Sequence, residues 1–374
     1  MSARAARANP EAGAARARLA DGRWHFQHGP IDLILEAWGA AEECAEAYEQ
    51  AWARFATVLP ELVAELPLLR KAIAAHPASL SRASGREGAH WPCARMRAWR
   101  MGREGTVLPP GGVGAEAPCP HLPFADRAFA LSANGPLLSR CAGEGQKCPL
   151  SGAIAKRMWN ACAPFAPIFI TPMAAVAGAV ADEVIAAMIA GRVLRKAYVN
   201  NGGDIAIHLA QGERFETGIV GDLAKPEITA TAGIAAADPV RGIATSGWRG
   251  RSFSLGIADA VTVLAQDAAA ADAAATLVAN AVNVEHPAIL RRPARQLDPD
   301  SDLGDHLVTV EVGALDSRAI AVALARGQRV ARAHREAGRI EAAYLELAGR
   351  RVAVGGESRR REVLQTEMAW SLRA

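Results

Sequence analysis

Two kinds of hydrophobic spacing follow one another near the start of the chain. Residues 24–35 hold two short apolar stretches on either side of Gly29-Pro30, a pattern typical of two strands joined by a turn. Over residues 40–66 apolar side chains such as Trp52 and Phe55 recur every three or four positions, which predicts a helix. The chain is therefore expected to begin with a strand–strand–helix unit.

The spacing fades over residues 72–151, where Pro, Gly, Ser, Arg and Cys accumulate. A stretch of about eighty residues without clear elements is unusual inside a compact domain, so this segment is expected to be a loosely ordered insertion. Residues 1–20 are rich in Ala and Arg without amphipathic order, and we expect a flexible leader there. Residues 21–71 and 152–374 are then expected to form a single domain.

Regular spacing resumes after residue 152. Helices are predicted over 173–189, 268–283 and 317–337. Strands are predicted over 197–209 with a glycine turn inside, 228–234, 243–246, 258–265, 306–312 and, as a hairpin, 344–354. Because helices and strands mix without a regular βαβ order or a G-x-G-x-x-G motif, the expected fold class is α+β, with mixed sheets and packed helices.

Composition narrows the classes of function. The chain of 374 residues is 51% hydrophobic and 22% charged, which is enough to bury a core. Its net charge of +3 and the lack of a basic stretch with interleaved aromatics predict no nucleic-acid partner. No run of about 18 apolar residues and no apolar leader occur, so a cytoplasmic protein without a membrane partner is expected. The oligomeric state stays open.

A first candidate site lies on the helix predicted over 268–283. Asp272 and Thr276 are four residues apart, so their oxygens share one face of a helix otherwise rich in alanine. Mg²⁺ takes one or two protein carboxylates and completes its shell with phosphate oxygens and water. The pair predicts a metal site, and a solvated carboxylate beside a packed threonine methyl is the alternative. Asp267 is expected to cap this helix.

A second candidate is the sequence Asn200-Asn201-Gly202-Gly203-Asp204. Two glycines inside a strand-like stretch indicate a bulge, a tight turn or the close approach of a ligand to the backbone. Asp204 beside them can bind a ligand hydroxyl or ring nitrogen. A plain hairpin turn is the alternative.

The third candidate is the loop over residues 244–252, which contains hydroxyls, glycines and two arginines. Backbone amides together with Arg249 and Arg251 can bind a diphosphate. Trp248 can cover a flat ring or fold back onto the core. A solvated basic loop is the alternative. A fourth segment, Thr171–Gly178, has Pro172 at a helix start and a face of small residues that lets another element approach closely.

In order and spacing, these segments resemble the ApbE superfamily of flavin transferases, and in particular its cytoplasmic ApbE-like branch. The resemblance covers residues 24–70 and 152 to about 350. It implies an α+β, T-fold-like domain that binds FAD with Mg²⁺ on the pyrophosphate and passes FMN to a Ser or Thr hydroxyl of an acceptor protein. The segments that carry it are AAVAGAVADEV, AYVNNGGDIAI, IATSGWRGRSFSLGIADAVTVLA and ADAAATLVANAVN.

The resemblance assigns residues to the metal. Asp272 and Thr276 match the family's D-x-x-x-T, and a backbone carbonyl near Ala177 is the implied third ligand. The family's usual Lys-Gly is Ala177-Gly178 in this chain, so one cationic side chain is missing.

The resemblance also assigns residues to the flavin and to catalysis. Gly202-Gly203-Asp204 matches G-G-D, and Thr245-Ser246-Gly247, followed by Trp248, matches T-S-G. Asp204, Arg249 and Arg251 are the candidate catalytic residues. Binding of FAD or FMN with Mg²⁺, and transfer of FMN, are therefore expected. The alternative is a non-catalytic flavin- or pterin-binding accessory protein on the same scaffold.

Overall fold

The computed structural model describes residues 13–73, 148–220 and 228–356. The helices are α1 Ala41–Leu69, α2 Ala153–Cys162, α3 Val176–Ile189, α4 Ala268–Ala281, α5 Ala294–Leu297 and α6 Ser317–Glu336. The strands are β1 Ala15–Arg18, β2 Trp24–His28, β3 Ile31–Gly39, β4 Leu194–Asn201, β5 Asp204–Leu209, β6 Arg214–Val220, β7 Ile228–Ala235, β8 Gly242–Ser246, β9 Ala260–Ala265, β10 Ile289–Pro293, β11 Leu307–Val312, β12 Ala342–Leu347 and β13 Arg350–Val354.

The described strands form a nine-stranded antiparallel sheet in the order β1-β2-β3-β4-β5-β8-β9-β12-β13, and β6-β7 and β10-β11 are separate two-stranded ribbons. Side chains alternate between the two faces of a strand. Ala206 and Ala244 accordingly join the main core with the helices, whereas Ile207 and Ile243 pack with Ile234 of β7 in a second core. The α+β expectation is confirmed.

The helices α3 and α4 cross at very close range beside the sheet. A Cβ atom at Gly178 would overlap with the backbone carbonyl of Ala268, so the crossing requires glycine there. Alanines such as Ala271 and Ala275 are fully buried, and their small side chains let neighbouring elements pack closely against the rest of α4. The segment Pro172–Ile189 is long and apolar enough to cross a membrane by length and composition, and more than half of it is buried in this core.

Several elements agree with the sequence predictions. The structure contains the opening strand pair, helix α1, the glycine hairpin β4–β5, helix α4 with its Asp267 cap, and the final hairpin β12–β13. Elements α2, α5, β6 and β10 were not predicted. Residues Ala15–Arg18, expected within a flexible leader, instead pair with β2 as an edge strand. Residues 1–12 lie outside the described residues.

Both described ends of the segment 72–151 are attached to the main core. Ile73 and Leu150 are buried, and the Ile73 amide donates to the Ile170 carbonyl oxygen at 2.9 Å. The Glu65 carboxylate accepts the amides of Ser151 and Gly152 at 2.8 and 2.6 Å. Residues 74–147, the greater part of the expected insertion, lie outside the described residues.

Candidate functional site

The turn between β4 and β5 places Asp204 on the helix-facing side of the sheet. Gly202 and Gly203 have φ angles of 66° and 113°, which side chains other than hydrogen rarely permit, so both glycines are required. The Gly203 amide donates to the Asn200 side-chain oxygen at 2.8 Å, which closes the turn. Because Ala206 belongs to the main core, Asp204 two residues earlier lies on the same face.

Asp204 joins the glycine turn to strand β8. Its Oδ1 atom accepts the Thr245 amide at 3.3 Å. Burial raises the pKa of the Asp204 carboxyl above its ordinary value, while the hydrogen bond from Thr245 and the charge of Arg251 act in the opposite direction. Asp204 is thus a partly accessible carboxylate held by backbone and by a nearby cation.

Asp272 lies close enough to Asp204 for their charges to interact. Its Oδ2 atom accepts the Gly178 amide at 3.0 Å. Burial, and then the charge of Asp204, raise the pKa of Asp272 well above its ordinary value, whereas hydrogen bonds from the Gly178 and Ala177 amides lower it. The structure therefore brings together two carboxylates that were 68 positions apart in separate motifs.

Helix α4 is accessible along one polar stripe. Asp272, Thr276 and Asn280, spaced one turn apart, are partly exposed, while the residues between them are buried. Asn280 accepts the Leu255 amide at 2.9 Å. The Thr276 hydroxyl has no hydrogen-bond partner among the described residues, and it lies one turn after Asp272. We call Asp204, Asp272, Thr276 and the Ala177 carbonyl the carboxylate site.

Asn201 orients the Ala177 carbonyl at this site. The Asn201 side-chain amide donates to the Ala177 oxygen at 3.1 Å, and Asn201 is only 5% exposed. Because Ala177 lies in the first turn of α3, this bond ties its carbonyl to the end of β4. No role for Asn201 was predicted from the sequence. Its position directly before the two glycines was the available signal.

Arg251 lies on the glycine turn. A Cβ atom at Gly202 would overlap with the Arg251 guanidinium, so the absence of a side chain at Gly202 makes room for that group. The charge of Arg251 also lowers the pKa of Asp204. Arg251 is exposed to solvent. The arginine loop and the glycine turn therefore meet at this point.

Arg249 and Trp248 are held at a different place. Both donate to Asp259 Oδ1, the Trp248 indole at 3.2 Å and the Arg249 Nε at 3.1 Å, and the guanidinium lies 5.1 Å from the indole ring centre. The other Asp259 oxygen accepts the Ala348 amide at 2.6 Å, in the β12–β13 turn. The structure thus gives the two arginines different surroundings.

The T-S-G segment contributes mainly through its backbone. The Thr245 hydroxyl is hydrogen-bonded to the Thr262 hydroxyl at 2.8 Å across β8 and β9, whereas the Thr245 amide reaches Asp204. Ser246 is partly exposed at the end of β8. A Cβ atom at Gly247 would overlap with the Asp259 carbonyl oxygen, which explains this glycine by packing.

Comparison with known proteins identifies the family. A family model described as AbpE bacteria matches residues 16–95 and 126–356. The chain belongs to this ApbE-like family. The match includes every residue of the carboxylate site and the arginine loop, and it extends into both ends of the segment 72–151.

Relatives of this ApbE-like protein occur in archaea. A UPF0280 protein of Methanothrix thermoacetophila is 39% identical over 155 residues, which are 40% of this chain and 60% of the relative. Those of Methanothermobacter thermautotrophicus and Archaeoglobus fulgidus are 37% and 40% identical, over 30% and 35% of this chain and 43% and 51% of the relatives. The chain thus spans 43–60% of the length of these relatives.

The donor set of the ApbE-like protein matches a hard cation. Within the described ranges, no group of three or more His, Cys, Asp or Glu side chains has an arrangement suited to a metal ion. The carboxylate site instead offers two carboxylates, a hydroxyl and a carbonyl oxygen. Zinc sites favour His and Cys, whereas Mg²⁺ takes one or two carboxylates and keeps positions for other oxygens.

Proposed function

We propose that this ApbE-like protein binds a flavin nucleotide, FAD or FMN, together with Mg²⁺ at the carboxylate site. The observation that carries the proposal is the placement of Asp272 beside Asp204, where each lies within reach of the other's negative charge. Two partly buried carboxylates repel each other, and a divalent cation between them offsets that repulsion. The resemblance to flavin transferases supplies the class of nucleotide.

The residues present fit a magnesium ion. Asp204 and Asp272 provide the negative charge, and Thr276 and the Ala177 carbonyl provide neutral oxygens close by. The unpartnered Thr276 hydroxyl is available as a donor atom. When bound, Mg²⁺ would neutralise charge on a diphosphate, whose oxygens would complete the coordination of the ion.

The chain's own groups would position the nucleotide. The glycine turn has no side chain at Gly202 or Gly203, so a ligand can approach the backbone closely. Arg251 lies on this turn and offers a planar fork of N–H donors that suits phosphate oxygens. Asp204 is fixed by the Thr245 amide and so keeps its place without a ligand.

Transfer of FMN from FAD to a Ser or Thr hydroxyl of an acceptor protein is the second candidate function. The acceptor oxygen would bond to the FMN phosphorus, the pyrophosphate bond would break, and AMP would leave. Arg251 beside the carboxylate site favours this activity, because a guanidinium stabilises charge on a transferring phosphoryl group. Ala177, in place of the family's lysine, favours instead a non-catalytic flavin- or pterin-binding accessory protein.

Incubation of the full chain with FAD, Mg²⁺ and a hydroxyl-bearing acceptor protein separates these functions. AMP release with a covalently yellow acceptor supports transfer. Saturable FAD binding without AMP supports the accessory role. The matched variants are Asp272→Asn at the site and Asp300→Asn at an exposed carboxylate elsewhere. Loss of binding in Asp272→Asn alone is expected, and an absence of flavin binding in the parent would overturn the proposal.

A further inference from the structure

A cavity of about 460 Å³ lies between helix α2, the start of α4 and the loop after α6. Its volume is in the range of small-molecule sites. The wall combines an aromatic ring with amides and cations: Lys156, Arg157, Asn160, Phe165, Gln266 and Arg339.

The cavity is separate from the carboxylate site. Ala270 lines it and is two positions from Asp272, which places the two residues about 200° apart around α4. None of Asp204, Asp272 or Arg251 is among the described residues that line the cavity. A ligand in the cavity would therefore contact the start of the same helix, at Asp267, Ala269 and Ala270.

The cationic side chains of the cavity outnumber its carboxylates. Asp267 is the carboxylate among the described lining residues, and its Oδ1 atom already accepts the Ala270 amide at 2.7 Å. Arg157 donates to Glu183 at 3.2 Å through one terminal nitrogen. Its Nε atom is buried without a hydrogen-bond partner in the described part of the chain. Arg157 is thus held at the cavity wall by Glu183.

Arg339 is a cation of the cavity wall that forms no ion pair within the described residues. Its guanidinium lies 5.5 Å from the Phe165 ring centre, and burial lowers its pKa. No carboxylate of the described ranges lies within ion-pair distance of Arg339 or of Lys156. His334 packs on the Phe165 ring at 4.9 Å, and burial together with Arg339 lowers its pKa to about 4, so it adds no charge at neutral pH. Lys156 is exposed and close enough to Glu65 to lower the pKa of that carboxyl, and Arg157 pairs with Glu183, so the charge left unpaired in the cavity is that of Arg339.

We propose that this cavity binds a phosphate group, free or carried by a small organic molecule, with Arg339, Lys156 and Arg157 as its cationic groups. Guanidinium groups match phosphate oxygens with paired N–H donors, and an ammonium adds a point charge. Asn160 and Gln266 provide amides for the rest of a ligand, and Phe165 provides an apolar wall. The proposal is independent of the flavin proposal.

Calorimetric titration of the full chain with inorganic phosphate and with glycerol 3-phosphate, at constant ionic strength and without flavin, tests the proposal. We expect saturable binding of at least one probe, weakened about tenfold or more in Arg339→Gln and in Lys156→Gln. Arg332→Gln removes an exposed charge elsewhere on α6 and should bind like the parent. Arg339→Lys keeps the charge and should retain more affinity than Arg339→Gln.

The two probes identify the source of the phosphate. Binding of phosphate alone indicates the free ion, and tighter binding of the ester indicates an organic phosphate. Absence of saturable binding, or equal weakening in Arg332→Gln and Arg339→Gln at matched thermal stability, would overturn the proposal. Loss of binding in Asp272→Asn with normal binding in Arg339→Gln would also overturn it, because phosphate would then bind at the carboxylate site.

Discussion

Asp182 and Asp272 each accept hydrogen bonds from the beginning of the other's helix. Asp182, on α3, accepts the Ala268 and Ala269 amides at 3.0 and 2.8 Å, and Asp272, on α4, accepts the Gly178 amide at 3.0 Å. The first amides of a helix have no partner within it, so each carboxylate supplies what the other helix needs. The exchange fixes α3 against α4 and thereby holds Asp272 beside Asp204.

Replacing Asp182 should destabilise the fold. Asp182 is only 7% exposed, and Asp182→Ala would leave the two amides at the start of α4 without their acceptor. We expect a loss of about 2–4 kcal/mol in the free energy of unfolding, measured by urea denaturation. Asp182→Asn keeps one acceptor oxygen and should lose less. A change below about 0.5 kcal/mol in Asp182→Ala would contradict the bracing role of this residue.

Replacing Gly178 should separate the two helices. A methyl group at Gly178 would meet the Ala268 carbonyl, so Gly178→Ala requires a backbone shift at the crossing. We expect a loss of about 2 kcal/mol or more in unfolding free energy and weaker flavin binding. Gly233→Ala is the matched control, because its new methyl would lie 3.7 Å from the Arg214 side chain, an ordinary contact. Equal effects of the two substitutions would refute the close crossing.

The two loop arginines should differ in their effect on flavin binding. Arg251 lies on the glycine turn, whereas Arg249 is held at Asp259. Arg251→Ala is expected to weaken FAD binding about tenfold or more, because it removes charged hydrogen bonds to phosphate. Arg249→Ala should change the dissociation constant by about twofold or less. A fluorescence titration measures both dissociation constants. A larger loss of FAD affinity in Arg249→Ala than in Arg251→Ala would contradict this prediction and would place the nucleotide near Asp259.

His334 should make the protein less stable in acid. Its pKa is lowered to about 4 in the folded chain by burial and by Arg339, against about 6.5 when unfolded. Between these pH values the unfolded chain binds more protons, so stability falls as the pH is lowered through this window, by up to about 3 kcal/mol. Urea denaturation at pH 7 and pH 4.5 measures the loss. His334→Leu should reduce it, and an unchanged pH dependence would show that His334 is not the group responsible.

The helices and strands around the site could be predicted from local patterns in the sequence. The paired glycines at positions 202–203 indicate a turn, because glycine adopts the positive φ angles that other residues rarely adopt. The apolar strand before α4 is followed by the capping Asp267. Most side chains of β6 are at least partly exposed, and β1 consists of four alanine and arginine residues. Neither strand has the apolar pattern on which strand prediction depends. Helix α2 differs, because its buried side chains do recur at helical spacing, and it could have been predicted: Ile154, Ala155, Met158, Trp159 and Cys162.

The contacts that stabilise the site could not be predicted from local patterns in the sequence. Asp182 and the start of α4 are 86 positions apart, and Asn201 and Ala177 are 24 positions apart. Nothing in the spacing of either pair of residues shows that they meet. The different surroundings of Arg249 and Arg251 also depend on Asp259 and Gly202, which only the folded chain brings to them.

The most direct measurement of the central claim is a calorimetric titration of FAD into the parent chain and into Asp272→Asn, each with Mg²⁺ and with a chelator. Mg²⁺ is expected to tighten FAD binding in the parent, and Asp272→Asn is expected to lose this gain while remaining folded by circular dichroism. FAD binding of equal strength in all four titrations would contradict a magnesium-dependent nucleotide site at Asp204 and Asp272.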